Sequence, residues 1–177
     1  MIAIVNYGVG NLFSLESSFN KIGFEVKVTS NPDDLKKSER IILPGVGAFG
    51  DAAKKLFSSG LVETLKNQAL NGKPILGICV GMQLLFEKSF EFGEHNGLNL
   101  IPGTVRAISD VIPQNLKIPQ IGWNSLHVKN NNFITATTDY GAILTAAVQR
   151  DNIFGVQFHP EKSGNVGLNI LKAFCEV

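Results

Sequence analysis

Cys79 stands in Gly77-Ile78-Cys79-Val80-Gly81, a G-x-C-x-G at the junction of an apolar run and a helical pattern. This is the thiol form of the nucleophile elbow, whose usual residue is serine. A sharp strand-to-helix turn forces the central residue into a strained backbone and lifts its side chain clear of the sheet. Glycine is needed two residues before and two after, because a Cβ at either place collides with the turn. Orphan N–H groups at the start of the next helix favour a thiolate there, and the N–H of Val80 can point at the oxygen of a tetrahedral intermediate. Taken alone, the segment also reads as a small apolar cysteine closing a strand. Cys175, in the apolar pattern of the last helix, has only that structural reading.

A nucleophilic thiol needs a base, and the chain has three histidines. His95 lies in a polar, glycine-bearing loop and reads as solvated. His127 follows a strand-like run and reads as its cap. His159 ends the apolar stretch Ile153 to Phe158 and is followed by Pro160 and Glu161. Active groups in parallel sheets gather at the carboxyl ends of strands. Cys79 and His159 are therefore expected on one edge, with Glu161 close enough to orient the imidazole as the third member of a triad. No two histidines or cysteines fall at metal-ligand spacing on one element, so no metal site is expected. Gly8-Val9-Gly10 is not a dinucleotide fingerprint, since the third glycine position holds Phe13. That turn reads as a surface loop near the active edge or at a partner contact, and no cofactor is expected.

The elements that must position these groups alternate between short apolar runs and helical patterns. Strands are predicted at Ile2 to Val5, Phe24 to Val28, Arg40 to Leu43 and Pro74 to Ile78. Leu12, Leu15, Phe19 and Ile22 recur at helical spacing. Further helices are predicted over 50–58, 61–70, 81–88 and 166–174, and short strands with Asn, Pro and Gly turns over 104–158. The expected fold is α/β: a doubly wound, mostly parallel sheet with flanking helices and a strand-rich second half, in a single domain over 1–177.

Bulk properties agree with a globular protein. The 177 residues are 44% hydrophobic and 18% charged, enough to bury a substantial core. Lys plus Arg is 16 and Asp plus Glu 15, a net of +1 with no basic run, which gives no footprint for nucleic acid or an anionic membrane. The apolar stretches are too short to span a bilayer, and the first residues read as a strand rather than a signal peptide. Two cysteines in different contexts do not make a disulfide framework, so a reducing cytoplasm is expected.

The elbow continued to Gln83 (Gly77 to Gln83) and the stretch Phe158-His159-Pro160-Glu161-Lys162-Ser163 resemble the class I (triad) glutamine amidotransferases. Within that class the chain is similar to the family of glutaminase subunits of imidazole glycerol phosphate synthase. Asn6 to Leu12, Leu43 to Phe49 and Ile118 to Asn124 point the same way. The resemblance implies that Cys79 attacks the side-chain amide of glutamine, with His159 as base and Glu161 behind it. It implies an oxyanion strand at Gly45, Val46 and Gly47, with Val80 as the second donor and Gln83 lining the glutamine pocket. It also implies ammonia delivery to a (β/α)₈-barrel cyclase in histidine biosynthesis, with Asn11, Trp123 and Lys162 at that interface.

Two departures stand out. Position 120 is Gln where the family usually has His. After Trp123-Asn124 the family carries a loop and a strand with a His-Ser-Tyr signature, whose backbone contacts bound glutamine; here His127 to Phe133 runs directly into Ile134 to Gly141. Loss of a core strand should leave unpaired backbone and a gap in the sheet, so a missing segment near 129–133 is expected, with a break between Lys129 and Phe133. The same motifs suit a paralogue that feeds ammonia to a sugar-modifying partner, and the missing segment alone would suit a non-catalytic interaction subunit. Gly122-Trp123-Asn124 argues against the glutaminases of anthranilate or pyridoxal phosphate synthesis.

Overall fold

The computed structural model describes residues 1–129 and 133–177. Ile2–Val5 (β1), Val26–Thr29 (β2), Arg40–Leu43 (β3) and Ile75–Ile78 (β4) are the first parallel strands. Leu12–Lys21 (α1), Pro32–Lys37 (α2), Phe49–Ser58 (α3) and Val62–Leu70 (α4) connect them, and Val80–Leu84 (α5) follows β4. Lys88–Ser89 (β5), His95–Asn96 (β6) and Thr104–Val105 (β7) form a small sheet in the order β6-β5-β7. His127–Val128 (β8), Ile134–Asp139 (β9), Ile143–Arg150 (β10) and Ile153–Val156 (β11) precede the last helix, Gly164–Cys175 (α6).

The main sheet has the order β2-β1-β3-β4-β11-β10-β9-β8. β11 runs parallel to β4, whereas β10, β9 and β8 follow by antiparallel pairing. Strand alternation divides the apolar residues between two cores. Ala3, Val5, Ile41 and Leu43 face α2 to α5, while Ile2, Ile4, Ile42 and Leu76 face α1 and α6. Each fully buried Leu or Phe, such as Leu15, Phe19, Leu56 and Leu65, contributes about 1.5–3 kcal/mol through removal from water. Cys79 touches both cores.

Three local expectations are revised. α2 has no counterpart among the predicted helices, although Asn31 accepts from the N–H of Asp33, Pro32 stands in the first turn and Asp33 and Asp34 follow it, all of which favour a helix start. The helix predicted over 81–88 stops at Leu84, where Leu85 N and Phe86 N close a tight last turn on Met82 O and Gln83 O and the returning chain pairs with the carbonyls that follow. Leu84 O accepts from Leu98 N at 2.7 Å, Leu85 O from Leu100 N at 2.8 Å and Glu87 O from Gly97 N at 2.8 Å. His95 is not a solvated loop residue: it lies in β6, half-buried, its ring over Gly50 and 6.4 Å from that of Phe49.

The expected break between Lys129 and Phe133 falls on residues 130–132, outside the described residues. On either side the sheet closes directly: His127 pairs with Thr137 and Val128 with Ala136, and Lys129 N–H donates to Thr135 O at 2.8 Å.

Candidate active site

β1, β3, β4 and β11 are parallel neighbours, so the residues that follow each of them collect on one edge. Cys79 follows β4. Its N–H donates to Val156 O at 2.8 Å, which ties the elbow to the end of β11, and Gln157, Phe158 and His159 follow that end. Two segments far apart in the chain thereby meet. Cys79 has φ 56 and ψ −115, the left-handed strain expected of a nucleophile elbow.

The glycines show why this turn tolerates no side chains around it. A Cβ on Gly77 would lie 2.6 Å from Gly81 O, one on Gly81 1.9 Å from Leu43 O, and one on Gly45 2.5 Å from Gly81 N. The loop after β3 therefore rests directly on the elbow backbone. Gly45 and Val80 are buried, and among the described residues the N–H groups of Gly45, Val46 and Val80 have no acceptor. Open donors beside a candidate nucleophile are suited to a ligand oxygen.

His159 Nδ1 lies 2.8 Å from Glu161 Oε1, and the Glu161 side chain is only 1% exposed. Its other oxygen is buried without a partner among the described residues, so the carboxylate depends on the ring beside it. The turn that carries both groups is pinned by Ser163 Oγ donating to His159 O at 2.7 Å and by the close approach of Gly167 in α6 to Pro160 O. The interaction with Cys79, followed by that with Glu161, raises the His159 pKa from 6.5 to about 9 against the opposing effect of burial.

Because the folded value is the higher one, this imidazolium contributes stability that is complete below about pH 6.5 and is lost as pH rises through about 9. The His159 ring is expected to titrate near 9 when followed by NMR. Cys79→Ala, which removes the leading cause, is expected to lower that midpoint. A midpoint unmoved by the substitution would separate the two side chains.

Other expected site residues are also located. Gln83, one turn beyond Cys79, donates its amide to Gln157 Oε1 at 3.0 Å, and Gln157 Nε2 donates to Cys79 Sγ at 3.7 Å. Asn11 precedes α1, while Lys162 is exposed just after Glu161. Trp123 is 81% exposed. Asn124 holds the Trp123 segment by donating to Asp139 O at 2.9 Å. β9 runs in the same direction as β11, so this too is the edge that carries Cys79. Gln120 hydrogen-bonds Asn124. His127 is exposed in β8 and does not join the site.

Three contributors escaped the sequence reading. Gln157 reaches the sulfur, and its only sequence signal was its place at the strand end before His159. Glu91 accepts from Phe49 N at 2.6 Å, capping α3 where Ala48 has no side chain to do so. Tyr7 donates its hydroxyl to Pro44 O at 2.7 Å. The loop after β3 also borders a cavity of 540 Å³ lined by Asn6, Gly8, Gly10, Gly47, Asp51 and Lys55 among others, and Cys79 does not line it. Among the described residues, no group of three or more His, Cys, Asp or Glu side chains could hold a metal ion, and no helix is long and apolar enough to cross a membrane.

The family profile described as glutamine amidotransferase class-I matches residues 3–176. Among curated proteins, imidazole glycerol phosphate synthase subunit HisH of Caldanaerobacter subterraneus subsp. tengcongensis is 43% identical, with 100% of this chain and 98% of the relative covered. The HisH subunit of Sulfurimonas denitrificans is 44% identical, with 99% and 98% covered. The first alignment is 203 residues long against the chain's 177, so that relative has residues without a counterpart here. Among solved structures, a glutamine amidotransferase aligns with a TM-score of 0.76 at 16% identity, covering 99% and 98% of the two chains. PurLQS from Thermotoga maritima aligns at 0.70 and 20% identity, covering 99% and 97%. At these identities the structural likeness speaks for the fold.

Proposed function

Since the chain belongs to the class I glutamine amidotransferase family, we propose that it is the glutaminase subunit of an imidazole glycerol phosphate synthase, hydrolysing glutamine and passing the ammonia to a cyclase partner. The observation that carries this is the meeting of a strained Cys79 with the His159–Glu161 pair at neighbouring strand ends.

In this reading the proton of the Cys79–His159 pair rests on His159, and Cys79 Sγ attacks the side-chain amide carbon of glutamine. The oxygen of the tetrahedral intermediate takes the open N–H groups of Val80 and of Gly45 or Val46, each worth about 3–4 kcal/mol in such sites. His159 then protonates the departing nitrogen, and ammonia leaves behind a thioester. Water, deprotonated by His159, hydrolyses that thioester and frees glutamate. Glu161 holds the ring and balances its charge. Gln83 and Gln157 form one wall beside the sulfur, with Gly47 in the facing loop. The whole is one domain over 1–177, acting in the cytoplasm.

Asn11, Trp123 and Lys162 form the contact with the (β/α)₈-barrel cyclase. The exposure of Phe13 (78%) and Trp123 (81%) at the edge of the sheet that carries Cys79 supports that reading, because large exposed aromatics are typical of contact surfaces. The test is glutamate release by the chain alone and with a barrel cyclase and its ribonucleotide substrate. Slow release alone, rising by at least about tenfold in the complex, is expected. Full activity in isolation would exclude a regulated ammonia donor, and no release in the complex would favour a non-catalytic subunit.

A further inference from the structure

We propose that Tyr7 is a positioning residue for the hydrolysis: its hydroxyl fixes the first peptide of the oxyanion loop in the orientation that the anionic intermediate needs. The inference deepens the glutaminase reading and rests on it.

Tyr7 is 7% exposed, just beyond the end of β1, and its hydroxyl donates to Pro44 O at 2.7 Å, a buried hydrogen bond across 37 residues of chain. The Pro44–Gly45 peptide is trans, as cis bonding among the described residues is confined to Ile118–Pro119. In a trans peptide the C=O and the N–H point in opposite directions across one rigid plane. Holding the carbonyl of Pro44 therefore holds the N–H of Gly45, and the next N–H, that of Val46, swings about a fixed pivot. The same β1 loop grips Pro44 a second time: a Cβ on Gly10 would lie 2.8 Å from Pro44 Cβ. On its other side Gly45 rests on the backbone of Val80 and Gly81, beside the second open donor. The tyrosine also lies near the nucleophile, since burial and then the charge of Cys79 both push its hydroxyl upward and keep it a donor. A phenyl ring of the same shape would fill the space equally well. What the oxygen adds is orientation.

The experiment compares the full chain with Tyr7→Phe, using glutamine and a γ-aldehyde analogue of glutamine. The aldehyde reports on the oxyanion loop because Cys79 adds to it. With the proton of the pair already on His159, an S–C bond forms and the carbonyl electron pair moves to oxygen. The resulting hemithioacetal oxygen sits where the intermediate's oxygen would.

In Tyr7→Phe, kcat is expected to fall about tenfold or more, with KM changed less than about twofold and aldehyde affinity falling in step with kcat. Alkylation of Cys79 by iodoacetamide, which needs no oxyanion donor, is expected to keep its rate and so to show an intact elbow. Unchanged kcat and aldehyde affinity would overturn the proposal. So would a rise confined to KM, or a parallel loss of alkylation rate, which would place the effect on the thiol. If the variant does not fold, the ¹⁵N amide signal of Gly45 in the wild type decides: it must shift when the aldehyde adds, and a stationary signal would overturn the assignment. A wild type that neither hydrolyses glutamine nor takes up the aldehyde would sink the glutaminase reading itself, and this inference with it.

Discussion

Cys79→Ala is expected to reduce glutamate release by about 10⁴-fold or more, to background, while Cys175→Ala leaves it within about twofold. The two cysteines differ in every property that matters to nucleophilic attack. Cys79 is partly exposed, lies at a strand end beside His159 and receives a hydrogen bond from Gln157. Cys175 is buried in α6 in the core that includes Leu171 and Phe174, and burial pushes its thiol up to about 11. It is protonated and inaccessible at neutral pH. Alanine at 79 retains a Cβ and so keeps the local geometry, which makes lost activity attributable to the sulfur. At 175 the change leaves a small cavity and a cost of about 1 kcal/mol, visible in melting but not in turnover. Equal losses of activity in the two variants would remove Cys79 from its role.

Gly81→Ala is expected to be the most damaging single methyl group that can be added to the elbow. Its Cβ would lie 1.9 Å from Leu43 O and 2.8 Å from the carbonyl carbon. Neither atom can yield cheaply, because β3 is paired on one side with β1 and on the other with β4. A loss of about 3 kcal/mol or more, or failure to fold, is the expected scale of such overpacking against backbone. Gly47→Ala supplies the control. Its Cβ would meet nothing within 4 Å, and φ is 87, so only the left-handed penalty of about 1 kcal/mol applies. Denaturant midpoints of both variants test the contrast. A Gly81→Ala chain as stable as the wild type would mean that the loop after β3 does not rest on the elbow.

Most of what positions the candidate catalytic groups is legible in the sequence, because it is written in local periodicity and in glycines that no other residue can replace. The parallel strands, the major helices and the edge shared by Cys79 and His159 follow from such signals. What escaped was of two kinds. α2 is only six residues long, too short for apolar periodicity to stand out, although its capping residues were present. The early end of α5 depends on the chain returning through Gly97 to Leu100, and the packed position of His95 and the contacts of Tyr7, Glu91 and Gln157 depend on partners 37 or more residues away. A hydroxyl that donates to the carbonyl of Pro44, or an amide that reaches a sulfur, leaves no periodic trace. Such contacts exist only once the sheet has assembled.

The backbone at residue 79 sets two selective pressures against each other. A φ of 56 suits glycine and costs any other residue about 1–2 kcal/mol. Mutational drift filtered for folding alone would exchange this cysteine for glycine, and the descendant would melt higher while doing no chemistry. With Cys79 as the proposed nucleophile, relatives screened for turnover are expected to carry sulfur at this point, and a glycine there would identify relatives that have kept the architecture after abandoning the reaction.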